Sequence, residues 1–168
     1  MSMNRKSTIV IALCVAGLWL MLAPVQAGAQ AIKTEVTGWV EDPVLVELGE
    51  SWTSGPIHHD RNYLYQWTVT SSDPRLEGTN FVTYNSNLDT RTFFWDGRIW
   101  GKGWIEQDGV VVWEGPLNGE YLEGIQTIRS VLHGAGPYEG LKVKLTLVQV
   151  PGLPVFEMEA VILDPGGN

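Results

Sequence analysis

Cysteine is nearly absent: the 168-residue chain has one, Cys14, and it lies inside an apolar N-terminal run. With no second thiol, no disulfide within the chain staples it, and the fold must stand on packing. Basic residues are also scarce, 11 against 19 acidic, for a formal charge of −8. They never cluster beyond the pair Lys142 and Lys144, so a surface built to neutralise many phosphates is excluded and no nucleic-acid partner is expected. The apolar run Ile9–Ala23 has 15 residues, short of the ~20 of a membrane-spanning helix. The chain has no phosphate-cradling glycine loop followed by lysine, no calcium loop of regular oxygen spacing, no HExxH and no glycine-framed nucleophilic serine. No catalytic residue can be assigned from such motifs, and no cofactor is expected.

The N-terminus reads as an export signal. Arg5 and Lys6 precede the uncharged run Ile9–Ala23, which stops at Pro24, and small residues follow at Ala27-Gly28-Ala29. Cleavage there leaves residues 1–29 as the signal peptide and 30–168 as one mature domain, secreted or periplasmic. Leu13 immediately before Cys14 argues against a lipoprotein, which needs a small residue at that place. Cleavage removes two basic residues and no acidic one, so the charge moves from −8 to −10. Stable membrane insertion is not expected after cleavage.

The mature chain has no helical stripe and many alternating ones. Leu141, Val143, Leu145 and Leu147 share one face, with Lys142, Lys144 and Thr146 on the other. Phe156, Met158, Ala160 and Ile162 repeat the pattern after the loop 150–154, predicting a hairpin with one wet side. Tyr63, Tyr65, Trp67 and Val69 likewise share a face. Further strands are expected near 34–40, 44–48, 63–70, 79–86, 98–105, 110–114 and 121–132. Turns are expected at Glu41-Asp42-Pro43, Ser72-Asp73-Pro74 and Gln107-Asp108-Gly109. About nine strands without a helix make an all-β domain, either an antiparallel β-barrel of about eight to nine strands or a β-sandwich. Gly101 and Gly103, alternating with Trp100 and Trp104, favour the sharply curved barrel.

The Trp/Gly strands of Arg98–Leu141, ending in Gly134-Ala135-Gly136-Pro137-Tyr138-Glu139-Gly140-Leu141, resemble the allene oxide cyclase and dirigent-like barrel group. The turn Ser72–Thr79 is similar to one in small secreted bacterial proteins related to it. The resemblance implies an eight-stranded barrel with a hydrophobic central cavity. Some members of that group cyclise an oxidised fatty acid and others steer phenoxy radical coupling. None of the group's reactive-site residues is carried onto a position of this chain.

Candidate site residues come from the aromatics and one arginine. Trp100, Trp104, Trp113, Tyr121 and Phe156 are candidates to line a lumen that takes a small apolar molecule, although rings of that size also simply fill a core. Arg129, on the face of Glu123, Ile125 and Thr127, projects either into the lumen or onto a solvated outer face beside an acid. Thr92-Phe93-Phe94-Trp95-Asp96-Gly97 places three rings in succession, so at least one is exposed or covers a barrel end. His58-His59-Asp60 is the one histidine cluster. It is expected as a polar loop between Pro56 and Tyr63, and no metal is assigned to it. The acidic pairs Glu106/Asp108 and Glu120/Glu123 read as strand-end and turn positions.

Three functions fit. The first is a secreted barrel binding a small apolar ligand in its lumen. The second is a cyclase or isomerase of the resembled group. The third is a non-catalytic structural or interaction module. A cavity of ~300 Å³ or more speaks for the first two, and polar groups converging inside it speak for the enzyme. A solid core with an uncovered apolar rim speaks for the module. Ligand identity and oligomeric state are not legible.

Overall fold

The structure, a computed structural model, describes residues 31–166. The expected signal peptide and its cleavage site lie outside the described residues. Nine strands follow in order: β1 (Ile32–Glu47), β2 (Glu50–Ser54), β3 (Ile57–Ser71), β4 (Gly78–Asp89), β5 (Gly97–Gln107), β6 (Val110–Leu122), β7 (Ile125–Gly134), β8 (Lys142–Gln149) and β9 (Phe156–Asp164). From β2 onward each strand pairs antiparallel with the next, and β1 pairs with both β9 and β3. Eight strands therefore close a barrel, while β2 runs on β3 beyond the closing ladder. The all-β barrel expected from alternation and glycine is the observed fold, and the sandwich is not.

The alternating faces decide what lies inside. Val36 and Val40 of β1, Val69 of β3, Val143 and Leu147 of β8, and Phe156, Met158, Ala160 and Ile162 of β9 are all buried in one core. The leucine row of β8 and the Phe156–Ile162 row thus face inward together, as their period of two requires. One end of the barrel is plugged. Two 3₁₀ turns, Pro74–Leu76 and Gly136–Tyr138, fold across it. Trp113 stacks on Tyr138 with ring centroids 5.3 Å apart, and its indole N–H donates to the Arg75 carbonyl at 2.6 Å. Trp113 and Leu76 are both fully buried there. Gln107 donates to the carbonyls of Pro74 and Glu77, and Tyr138 donates to Gln107. These bonds satisfy the plug's polar groups without water.

Several expected boundaries are corrected. The segments 34–40 and 44–48 belong to one strand, because Asp42, with φ 55°, makes an irregularity in the β1–β3 ladder and not a reversal. β6 continues to Leu122, eight residues past its expected end; Pro116 is tolerated because it sits in the break of the β6–β7 ladder between Glu114 and Leu117. The expected strand 121–132 is instead divided by a tight turn, with Glu123 and Gly124 both at positive φ. Residues 57–62, expected as a loop, are strand, and β2 was not anticipated.

Glycine relieves the curvature, but the inward-facing glycines of β5 are not equivalent. A methyl group on Gly101 would stand 1.7 Å from the Thr83 carbonyl oxygen, whereas one on Gly103 would have no neighbour closer than 3.8 Å. The first marks a close approach of two backbones; the second is open space. Gly101→Ala is therefore expected to cost about 1–3 kcal/mol or more by overpacking, and Gly103→Ala to change stability little. Urea unfolding of the two variants checks the difference, and equal losses would contradict it.

Candidate functional site

Above the plug the lumen is not filled. A cavity of about 500 Å³ opens towards the end formed by the β1–β2 extension and the loops 90–96, 123–124 and 150–155. Three consecutive inward positions of β3, Tyr63, Tyr65 and Trp67, form one wall. Asn80, Val82 and Tyr84 of β4 stand beside them, and Leu117, Ile128, Leu147 and Phe156 supply the apolar opposite side. The next strand, β5, presents Gly101 and Gly103 inward and contributes no side chain to this cavity. Deeper in, only about 30 Å³ is left beside Val69, Ile105, Leu132 and Met158, so the cavity has a packed floor.

A bulge brings charge to this apolar chamber. Between Asp60 and Tyr63 the β3 strand uses one residue more than β4, and Asn62 takes φ 59°. The extra residue reverses the parity, so Asp60 and Tyr63, three apart, both line the cavity. Asparagine suits the left-handed position. Asp60 is held on three sides: Ser51 donates to Oδ1 at 2.6 Å, Ser86 donates to Oδ2 at 2.6 Å, and His58 Nε2 lies 3.1 Å from Oδ1. Since the Ser51 proton goes to Asp60, the Tyr63 hydroxyl donates to Ser51 Oγ at 2.6 Å. A continuous chain of hydrogen bonds thus runs from a cavity phenol to a carboxylate.

Burial works against the charge on Asp60, but the hydrogen bonds from Ser51 and Ser86, with His58 nearby, more than offset it and hold the carboxyl below its ordinary value. Burial raises the Tyr65 phenol, helped by Tyr63 and Asp60, and pushes Tyr84 up to about 12. The cavity therefore holds an ionised carboxylate near the neutral phenols of Tyr65 and Tyr84 at neutral pH. Its rings meet at angles: Tyr65 and Tyr84 edge-to-face at 6.1 Å, Trp67 and Phe156 at 5.4 Å.

The candidate residues divide between the two faces. Trp113 and Phe156 project inward, Phe156 into the cavity and Trp113 into the plug below it. Tyr121 lies at the open end with Tyr84, Gln126 and Phe94. Trp100 and Trp104 are corrected to the outer face: the register of β5 turns its glycines and Ile99 and Ile105 inward, and the tryptophans must face out. Trp104 stacks on Phe81 there and donates to Glu106. Arg129 is outside too, its side chain 66% exposed and 3.7 Å from Glu120. The adjacent His59 faces away from His58. It bonds Asn87, while Arg61 lies over the rings of Trp52 and Trp100 and donates to the Asp60 and Ser86 carbonyls and to Asn87. Among the described residues no three His, Asp or Glu side chains gather as a metal site, and no helix is long and apolar enough to cross a membrane.

Phe93, Phe94 and Trp95 form a turn at the open end, not a strand, with Phe93 90% exposed. Trp95 reaches His58 at 5.3 Å, placing this cluster beside the mouth.

No family model, curated protein or solved structure matches the chain.

The strand pattern anticipated the Tyr63–Trp67 face but not its partners. Asp60, Ser51 and Ser86 come from three strands, and Asp60 is inward only because of the bulge; Asn62 beside Arg61 was the single local signal. Because the folded Asp60 carboxyl titrates below its ordinary 3.8, its charge stabilises the fold above that value, and the contribution is lost as pH falls through the lowered one. Asp60→Asn is expected to lose about 1–3 kcal/mol at pH 7 through weaker, uncharged hydrogen bonds, with the gap to the parent narrowing below pH 4. Thermal unfolding at pH 7 and pH 3 checks this; a gap independent of pH would locate the effect elsewhere.

Proposed function

We propose that the mature domain is an exported barrel that binds one small, largely apolar molecule in its lumen. The observation that carries the reading is the cavity of about 500 Å³ above a plugged floor, walled by aromatic and branched side chains and open at one end. That size and lining suit a small organic ligand. Affinity would come from apolar area removed from water, at roughly 25 cal/mol per Å² before the costs of association. The Asp60, Tyr63 and Tyr84 polar groups would fix its orientation. Export rests on the leader at residues 1–29.

A cyclase or isomerase is the second reading, favoured by the Tyr63–Ser51–Asp60 chain. In it, the apolar walls would fold a flexible substrate into a reactive shape. With its own proton given to Ser51, the Tyr63 oxygen would accept a hydrogen bond from a hydroxyl of the substrate, while Ser51 and Asp60 hold the phenol in place. This activity follows the resemblance of 98–141 to the allene oxide cyclase group. The exposed rings at 93–95 are what supports the third reading, an interaction module.

The neutral dye N-phenyl-1-naphthylamine tests the lumen reading. Saturable one-site binding is expected. Leu117→Trp, which fills the cavity, should weaken it about tenfold or more, equivalent to ~1.4 kcal/mol, and Trp104→Ala on the outer face should leave it unchanged. Unsaturable binding, or equal losses from both variants, would remove the lumen as the site.

A further inference from the structure

The ligand-binding reading, on which this inference rests, leaves open what chemistry the ligand's polar end carries. The cavity wall includes one charged side chain, Asp60, and no lysine or arginine. The nearest guanidinium, Arg61, points the other way. Its donors are taken by the carbonyls of Asp60 and Ser86 and by Asn87, and its face is enclosed by Trp52 and Trp100. His58 reaches the carboxylate but meets only Oδ1, the oxygen already shared with Ser51. Oδ2 accepts from Ser86 alone, and a carboxylate oxygen has room for a second donor.

Near this carboxylate stand Tyr63, Tyr65 and Tyr84, with Trp67 further along the same cavity. Ring faces are electronegative and attract cations, most strongly where water is thin. An anion in the chamber would meet an ionised carboxylate with no cationic side chain on the wall to offset it. A neutral ligand would leave the part-buried carboxylate of Asp60 with its hydrogen bonds and with His58, on Oδ1 only, as its one neighbour able to carry positive charge. The acidic surface, −8 over the whole chain, adds a long-range field of the same preference.

We infer that the cavity selects an organic cation: an amino or quaternary ammonium head between Asp60 and the tyrosine rings, with an apolar body against Leu117, Ile128, Leu147 and Phe156. The head lies near the bulge of β3 and the body points to the opposite wall. Selectivity then comes from one carboxylate and the ring faces, and affinity from the hydrocarbon.

Three probes of equal chain length, each below its micelle concentration or solubility limit, separate the terms: decylammonium, decanol and decanoate, titrated by tryptophan fluorescence and calorimetry. The ammonium should bind at least about tenfold tighter than the alcohol, and decanoate weakest. In Asp60→Asn the ammonium advantage should collapse while decanol binding is retained. On the parent protein, which needs no variant to fold, ammonium affinity should fall as the pH is lowered through the Asp60 titration, with decanol unchanged. Decanol or decanoate binding as tightly as the ammonium would overturn the cation inference and leave the lumen reading intact. Failure of all three probes to bind would overturn both.

Discussion

The β1–β3 ladder is the interaction on which the rest depends. Without it the sheet is an open ribbon whose end strands expose unpaired backbone groups; with it, eight strands share one inside. Closure turns a period of two into a division between core and solvent. Every alternate residue from Val36 to Ile162 is then committed to a face, and a shift of one residue would exchange them all.

That division is asymmetric along the barrel axis. At one end Trp113, Leu76 and Tyr138 pack into a satisfied plug. At the other, the inward side chains stop short of one another. The cavity lies between Tyr63, Tyr65 and Trp67 of β3 and Leu117, Ile128, Leu147 and Phe156 facing them. Polar groups concentrate at the wall where β3 carries its extra residue. The bulge is the local price of a carboxylate in an apolar chamber, and Ser51, Ser86 and His58 supply the hydrogen bonds that keep it charged. Charge in the lumen therefore comes from one backbone feature, the inserted residue of β3, more than from any cluster recognisable along the chain.

How much of this was legible depended on how local the cause was. The inward rows of β8 and β9 followed directly from alternation, and so did the Tyr63–Val69 face. The Asp108-Gly109 turn was legible from its residues, since both take positive φ. Trp100 and Trp104 were assigned to the wrong side because alternation says which residues share a face, not which face is inside. In β5 large rings were weighed as core material, yet curvature needs the small residues within, and the tryptophans cover the outside. Arg129 posed the same choice and resolved to solvent beside Glu120. His58-His59-Asp60 looked like a loop because its composition is polar. Its pairing with β2 and β4 made it strand, and sent His59 outward while His58 and Asp60 turned in.

By itself, the sequence determined an all-β antiparallel fold without an internal disulfide, the spacing of its strands, most turns and the sets of residues sharing a face. These are properties of neighbours along the chain, governed by period, turn stereochemistry and the absence of thiols. Only the tertiary structure decided which set faces the lumen, that the lumen is plugged at one end and hollow above it, and that Ser51, Asp60, Tyr63 and Ser86 meet. Those depend on closure and on the register across separate strands, and a one-residue bulge is enough to change them.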